Sequence, residues 1–516
     1  MITFLAFLFF LATLNTSCGG GAPTSKLDLT PPTAAPSSPE AIDPALVEQG
    51  ASDEALAAVR RLDQGGAANN NQLPQLTPTE HMRRAGIYLA NRAFADARRH
   101  WQALIERYPN DGAVSAALFS TGRSYFQERK YEEALVVFRQ LADRETQSKE
   151  GRDGFYYVAP TLLRLGRPLE AAARYREYIE RFPQGERAED AHLNTIDSLR
   201  EGGANAEAIE WVARTRQKYA DTPTATNALF ARLRLDVAVG DFAQAVATSD
   251  ELRRQTFGRG ISTNANEVAY LRAAGLEGAG RVEEAAQGYQ GLADALNSYY
   301  GRLATERLAT LAKNRQPLGA VVSARQNRAR QEASAAANQY PIPHREIIVR
   351  AAQAGGIDPR LVLAIMRQES GFNSRAKSPA AARGLLQLTF DAATKYAPAA
   401  QIKNLSEDDL YEPEVNIKLA CAYLSELTRM FPNLPEAVVA SYNGGEDNVA
   451  RWVKRARPGD AGFFAAEVGF AETKDYVFKV MANYRAYQQL YSVDLRPARQ
   501  NDGRAAAPKT KSGTGR

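Results

Sequence analysis

Between about residues 77 and 316, apolar residues follow helical spacing and an alanine recurs at a regular interval. The interval is 37 residues four times in succession and then 40. The repeated residues are Ala97, Ala134, Ala171, Ala208, Ala245 and Ala285. A self-similar period of this length is typical of stacked helical units, each of which buries its apolar face against its neighbours. The pattern predicts about six helix pairs that stack into an α-superhelix.

Other positions in each unit agree with a helix pair. A glycine precedes the alanine by five residues at Gly166, Gly240 and Gly280, which indicates a turn between paired helices. The small alanine permits close approach of helices, and aromatic residues such as Trp101 and Phe138 are expected to fill the core one turn later. The pattern resembles tetratricopeptide-type repeats, whose usual period is about 34 residues.

A second amphipathic pattern predicts a short helix in the C-terminal third. Asp358 is its expected N-cap, and Gly371 lies just beyond its end. Leu361, Ile365 and Glu369 are four residues apart and share the apolar stripe. Burial of a carboxyl group there would raise its pKa, as a general acid requires. On this pattern alone a solvated or locally paired glutamate is the commoner reading.

Four short motifs lie in order within about 120 residues of Glu369, and together they restrict the interpretation. They are Glu369-Ser370, Gly384-Leu385-Leu386-Gln387, Ser441-Tyr442-Asn443-Gly444-Gly445 and Glu472-Thr473 with Tyr476-Val477. The set resembles the soluble lytic transglycosylases of the Slt type, which have a goose-type lysozyme-like fold. The resemblance implies an α-helical catalytic domain over 339–493, joined to the repeats by a linker at 317–338.

The resemblance also implies roles for individual residues. Glu369 would be the catalytic acid and base, with the Tyr442 hydroxyl placed to support it. Tyr476 is interpreted as a packing residue. The substrate-binding residues expected by resemblance are Ser370, Gln387, Tyr442, Asn443 and Glu472.

The number of carboxylates distinguishes two kinds of glycan cleavage. Hydrolytic glycosidases normally use two carboxyl groups. No second acidic residue near Glu369 is expected to share its burial, because Asp358 caps a helix and the others lie in polar stretches. In the family's reaction one group protonates the bond between N-acetylmuramic acid and N-acetylglucosamine, and the C6 hydroxyl then closes a 1,6-anhydro ring.

Two other functions remain compatible with the sequence. One is a lysozyme-like hydrolase on the same fold, which would leave a reducing end. The other is a peptidoglycan-binding scaffold that acts through its repeats. The concave face of a superhelix could engage glycan strands or proteins of cell-wall synthesis and division.

The N-terminus predicts export. An apolar run over 4–14 is too short to span a membrane and ends before Cys18. The pattern resembles a bacterial lipoprotein signal over 1–18, with Cys18 as the lipidated residue, and ordinary secretion is the alternative. A Pro-, Ser- and Ala-rich stretch follows, and 19–76 is predicted to be a flexible tether with one short helix from Pro44 to about Leu62. The expected location is the periplasm, with a lipid anchor in the outer membrane as the only membrane attachment.

Charge and residue type exclude several other classes. The net charge is +5, and the C-terminal 21 residues carry six basic residues and one acidic, which also sum to +5. The basic character therefore belongs to a tail, predicted to be disordered over 494–516, and does not indicate nucleic-acid binding. The four histidines lack metal-ligand spacing. No metal and no cofactor are predicted.

Overall fold

The computed structural model describes residues 52–65, 73–144, 148–313, 316–456 and 459–498. Within these ranges the chain forms 23 α-helices and no β-strands, so the mainly α fold class is confirmed. None of the helices in these ranges combines the length and hydropathy needed to cross a bilayer. The apolar run, Cys18 and the tail from residue 499 lie outside the described residues.

The N-terminal part is an array of antiparallel helices. A first helix, α1 (Asp53–Gly65), precedes six helix pairs. The pairs are α2 (Pro78–Ala90) with α3 (Phe94–Arg107), α4 (Val114–Gln127) with α5 (Tyr131–Arg144), α6 (Lys149–Arg164) with α7 (Pro168–Arg181), α8 (Ala188–Glu201) with α9 (Asn205–Lys218), α10 (Pro223–Val239) with α11 (Phe242–Leu252), and α12 (Ala265–Gly278) with α13 (Val282–Gln290).

The repeated alanines explain the stacking. All six lie in the second helix of a pair and have no exposed surface. An alanine lets neighbouring helices approach closely, whereas a larger side chain at that point would force them apart. The prediction of six stacked helix pairs is therefore confirmed.

The turn inside each pair has a left-handed residue five positions before the alanine. Glycine occupies this position in the last four pairs, at Gly166, Gly203, Gly240 and Gly280, with φ between 72° and 79°. The first two pairs have Arg92 and Arg129 there, with φ of 60° and 63°. A side chain in the left-handed region is strained, and such residues are concentrated at functional sites.

Two segments differ from the sequence prediction. The linker expected at 317–338 is largely helical: α15 (Gln316–Ala335) follows α14 (Tyr299–Ala312) and packs against it. The short helix expected in the tether overlaps α1 of the described residues, but it does not behave as part of a flexible segment, because Ala55, Leu56 and Val59 are buried against the first repeat.

The C-terminal part is a compact helical domain. Its helices are α16 (Arg345–Gly355), α17 (Pro359–Ser370), α18 (Phe390–Tyr396), α19 (Pro413–Met430), α20 (Pro435–Gly444), α21 (Glu446–Arg455), α22 (Ala461–Glu467) and α23 (Ala471–Leu490). The long helix α23 packs against α17 and α20, and buried residues of all three contribute to one core. The fold continues past 493, because Leu495 is fully buried and Ala498 donates to the Leu490 carbonyl.

Buried ion pairs hold this domain against the helical array. Glu467 of α22 accepts from Arg200 and Arg234 of the array. Arg485 of α23 donates to Asp294 at 2.6 Å. Because buried charges are costly unless paired, these contacts fix which faces of the two parts meet.

Candidate active site

Glu369 lies in the last turn of α17, one residue before the helix ends at Ser370. Asp358 caps the start of the helix by accepting from the Arg360 amide, and Gly371 ends it with φ of 56°. Leu361 and Ile365, on the same stripe, are buried in the core. Glu369 is only partly buried as a whole residue, but its Oε2 is shielded from solvent and has no hydrogen-bond partner.

The environment of this carboxyl group favours its protonated form. Burial raises the pKa of Glu369 from its ordinary 4.5 to about 8, and the negative charge of Glu472 acts in the same direction. A hydrogen bond of 2.6 Å from the Tyr476 hydroxyl to Oε1 partly opposes this rise. At neutral pH the group therefore holds a proton that it can donate.

The tyrosine that contacts the acid is not the one inferred from the sequence. The Tyr442 hydroxyl donates to the Leu386 carbonyl at 2.7 Å, whereas Tyr476 donates to Glu369. The assignment of acid support to Tyr442, and of simple packing to Tyr476, was wrong. Tyr476 lies on the inward face of α23, and that helix crosses α17 close enough for its hydroxyl to reach the acid.

Two of the expected substrate-binding residues hold the loop between α17 and α18: Ser370 is the last residue of α17, and Gln387 lies within the loop. Ser370 accepts from the Phe372 amide and donates to the Leu385 carbonyl at 2.7 Å, so it ties the end of the helix to the loop. The Gln387 amide nitrogen donates to the carbonyls of Ala376 and Gly384. Gln387 has φ of 47°, which is a strained conformation. The loop is thus held by its own polar contacts and by Asn416 of α19, which accepts from the Leu386 amide and donates to the Arg383 carbonyl.

Asn443 and Glu472 lie where α20 meets the start of α23. Asn443 is in the last turn of α20, and its Oδ1 accepts from the Thr473 hydroxyl at 2.6 Å. Gly444 packs so closely on Thr473 that a Cβ there would lie 3.0 Å from its hydroxyl oxygen. Glu472 is exposed at the start of α23. Of the expected site residues, Ser370 adjoins Glu369 in the chain, and Tyr442 and Glu472 lie within electrostatic range of its carboxyl group.

Two adjoining cavities flank these residues at the junction with the helical array. The first, of about 670 Å³, is lined by Gln387, Tyr442 and Asn443. The second, of about 440 Å³, is lined by Asn443, Glu472 and Thr473. Both are also lined by residues of the first helix pairs. They share Gln127, Arg129, Asn443 and Gly445. Together they form one cleft whose walls come from both parts of the chain.

Two arginines at the left-handed turns of the helical array, Arg92 and Arg129, bind carboxylates at the rim of this cleft. Arg92 donates to both carboxylate oxygens of Asp391 at 2.8 and 2.7 Å. Arg129 donates to both of Glu446 at 2.6 and 2.8 Å. Neither contact was predicted from the sequence. The feature that indicates these two residues is an arginine at the turn position where the later repeats have a glycine.

Helix α1 supplies a second contact that the sequence analysis missed. Asp53 accepts from Lys377, Arg383 and Tyr411 at 2.8, 2.5 and 2.9 Å. Burial favours a higher pKa for Asp53, but these hydrogen bonds and the adjacent Arg383 bring it down to about 2. Arg383 is only 1% exposed and lies in the loop that carries Gln387. The counter-ion of Arg383 is thus Asp53, which lies more than 300 residues earlier in the chain.

The carboxyl groups of this region differ in how they are held. Glu369 has a raised pKa, and it lies within electrostatic range of Tyr442 in the cleft wall. Among the described residues nearby, Glu446 is bound by Arg129 with a lowered pKa, and Asp358 is bound by Arg360 with a lowered pKa. Such carboxylates stay ionised and are already engaged.

Comparison with known proteins finds similarity in both parts of the chain. Residues 346–461 match the family model of the transglycosylase SLT domain, and 83–149 and 159–223 match that of the tetratricopeptide repeat. The soluble lytic murein transglycosylase of Salmonella typhimurium is 33% identical over 151 residues, or 29% of this chain and 23% of the relative. That of Escherichia coli (strain K12) is 32% identical over 158 residues, or 30% of this chain and 24% of the relative.

This chain spans about a quarter of the length of these relatives. Among solved structures, an inactive mutant of the lytic transglycosylase Slt from Pseudomonas aeruginosa superimposes with a TM-score of 0.46 and 19% identity. The superposition covers 87% of this chain and 89% of the other.

Proposed function

We propose that this chain, which carries a transglycosylase SLT domain behind tetratricopeptide repeats, is a peptidoglycan lytic transglycosylase. It would cleave the β-1,4 bond between N-acetylmuramic acid and N-acetylglucosamine and leave 1,6-anhydro ends, in cell-wall remodelling or recycling. The observation that carries the proposal is the carboxyl group of Glu369, which its raised pKa keeps protonated at neutral pH within electrostatic range of Tyr442 and Glu472 in the cleft walls.

In the first step Glu369 gives its proton to the glycosidic oxygen as the bond to C1 breaks. The resulting carboxylate then takes the proton of the C6 hydroxyl of the same muramyl residue. The C6 oxygen forms a bond to C1, and Glu369 is again protonated, so the protons balance over one cycle. An intramolecular nucleophile has a high effective concentration and needs no activated water. The Tyr476 hydroxyl would stabilise the carboxylate between the two steps.

Analysis of products from purified sacculi tests this proposal. The wild-type protein should release fragments with 1,6-anhydro ends, and Glu369→Gln should release essentially none. Asp475→Asn, on the exposed face of α23, is the matched control and should cleave normally. Reducing ends in place of anhydro ends would establish a lysozyme-like hydrolase. Binding without any cleavage by the wild type would favour a peptidoglycan-binding scaffold.

The location of the protein is a further part of the proposal. Cys18 would carry a lipid that anchors the chain at the outer membrane, with the enzyme in the periplasm. A relative in Salmonella arizonae, 32% identical over 164 residues, has the name membrane-bound lytic murein transglycosylase C. Mass spectrometry of the mature N-terminus tests whether Cys18 carries a lipid, because an unmodified terminus at another residue would exclude it.

Partners of the repeats would be proteins of cell-wall synthesis or division.

A further inference from the structure

The helical array meets the catalytic domain through two different kinds of surface. Buried side chains of the last two helix pairs, among them Leu229 and Tyr289, belong to one apolar cluster that continues into the catalytic domain through Phe463 and Val477. The last two pairs and the catalytic domain therefore share a core. Relative motion of two parts of a chain is restricted where their interface is large and apolar.

The front segment of the array, which comprises α1 and the first two helix pairs, shares no such core with the catalytic domain. Helix α1 and the first pair form most of a separate apolar cluster around Trp101, and Phe138 of the second pair belongs to another, which extends into the third pair at Tyr175. Among the described residues, none beyond the array belongs to either cluster. Because each unit of a repeat array packs mainly on its neighbours, the array can bend where one cluster ends and the next begins.

The front segment contacts the catalytic domain through polar and partly exposed groups. Arg92 binds Asp391, and Arg129 binds Glu446. In each of these ion pairs one side chain, Asp391 or Arg129, is 45% exposed. Exposed ion pairs contribute little to stability, and salt screens them.

Ion pairs between the end of the array and the catalytic domain are of the opposite kind. Lys474 of α23 binds Glu267 of α12, and Arg485 of α23 binds Asp294, which follows the last helix pair. All four side chains are buried. Separation of such a pair is costly, because it leaves a buried charge without its partner. The front segment is therefore the end of the array that can leave the catalytic domain more easily.

Helix α1 links the position of the front segment to the loop that carries Gln387. The buried apolar side chains of α1 belong to the cluster that it shares with the first helix pair, so the helix and the pair should move together. Asp53, at the start of α1, binds Arg383 in the loop. Movement of the front segment would withdraw Asp53 and leave the loop without this contact.

The ion pairs of the front segment also join the two walls of the cleft. Arg92, Arg129, Asp391 and Glu446 all line the first cavity, and each pair takes one residue from either wall. When these pairs part, the cleft can receive a long polymer from the side instead of by threading of its end.

We propose that the front segment is a clasp, which opens at these ion pairs to admit a glycan strand from the side and closes over the strand to restore the contact between Asp53 and the loop. The inference rests on the proposed function, since the strand is the substrate of that reaction. It implies cleavage at bonds remote from strand ends, which a cleft that must be threaded would not reach.

Distances between spin labels test whether the front segment moves. One pair of labels is placed on cysteines at Ala95 of the front segment and Ala399 of the catalytic domain, and a control pair at Asn266 of α12 and Asp475 of α23, all four of which are exposed. Raising the salt concentration from about 0.1 to about 1 M shortens the Debye length from about 10 to about 3 Å. We expect a longer distance to appear at high salt between the first pair of labels, and no change between the control pair.

A reversible cross-link tests whether this movement serves substrate entry. Arg92→Cys and Asp391→Cys are combined, because the two side chains touch, and a reducible bismaleimide joins the new cysteines. Both experiments use a Cys18→Ser background, in which the remaining Cys421 is buried. The cross-linked protein should lose cleavage of intact sacculi but keep cleavage of short soluble glycan fragments, and reduction of the linker should reverse the loss. The matched controls are the two single-cysteine variants treated with the same reagent, which should cleave both substrates.

Several outcomes would overturn the clasp. They are equal salt responses in the two pairs of labels, undiminished cleavage of sacculi by the cross-linked protein, and equal losses on sacculi and on short fragments. If the protein without a cross-link cleaves neither substrate, the proposed function fails, while the label distances still decide whether the front segment opens.

Discussion

Arg129, in the second helix pair of the array, holds Glu446 of the catalytic domain by two hydrogen bonds of 2.6 and 2.8 Å. The same arginine occupies the left-handed turn position that the last four repeats give to glycine. The chain thus accepts a strained backbone at the point where the two walls of the cleft meet.

This strain can be separated from the ion pair by two substitutions. Arg129→Ala and Arg129→Gly both remove the contact with Glu446, but only glycine relieves the left-handed backbone. We expect Arg129→Gly to be more stable than Arg129→Ala by about 1 kcal/mol. Urea unfolding of both variants measures the difference. Equal stabilities would show that the turn is not strained. In both variants the catalytic domain should become more accessible to limited proteolysis.

The raised pKa of Glu369 predicts a cost in stability. The folded carboxyl group binds a proton between pH 4.5 and about 8, a range in which the unfolded chain releases it. The free energy of unfolding should therefore fall as pH rises through this window. Glu369→Gln removes the titrating group and should be more stable than wild type at pH 7.5, by up to about 3 kcal/mol. The two proteins should converge near pH 4, and a constant difference across this range would contradict the assignment.

The same pKa predicts the alkaline limit of activity. The proton on Glu369 is lost as pH rises through about 8, so kcat/KM should fall there. Tyr476→Phe removes a hydrogen bond that stabilises the carboxylate and should move this limit to higher pH. Glu472→Gln removes a nearby negative charge and should move it to lower pH. Shifts of the same sign in both variants would exclude the proposed electrostatics.

Asp53 should stabilise the substrate loop from a distance. Asp53→Asn leaves the buried Arg383 without its counter-ion, so we expect a loss of about 2 kcal/mol in the free energy of unfolding. The lowered pKa of Asp53 adds a pH signature, because its contribution is present above pH 3.8 and is lost as pH falls towards 2. Hydrogen exchange should show faster opening of the loop that carries Gln387. Asp53→Glu should restore part of the protection, and an unaltered loop in Asp53→Asn would refute the contact.

The repeated alanines should tolerate no larger side chain. Ala208 is fully buried between helices, whereas Ala213 is exposed on the same helix α9. Ala208→Leu should lower the free energy of unfolding by about 1–3 kcal/mol through overpacking. Ala213→Leu should change it by less than about 0.5 kcal/mol. Thermal or urea unfolding of the two variants checks the difference, and similar values would mean that the array can relax around position 208.

The sequence by itself determined the features that depend on local periodicity. The 37-residue spacing of Ala97, Ala134 and their successors placed six helix pairs, because each pair repeats the same short-range packing. The capped apolar stripe placed Glu369 at the end of α17, because capping and amphipathicity act within a few turns. The order of the four motifs identified the residues that gather around this acid.

Only the tertiary structure decided which groups touch across the chain. The sequence does not show which of Tyr442 and Tyr476 contacts Glu369. Because α17 and α23 cross, the Tyr476 hydroxyl reaches its carboxyl group. Asp53 and Arg383 are 330 residues apart, and no local pattern links them. Helical periodicity is encoded locally, whereas ion pairing and burial depend on the packing of distant helices.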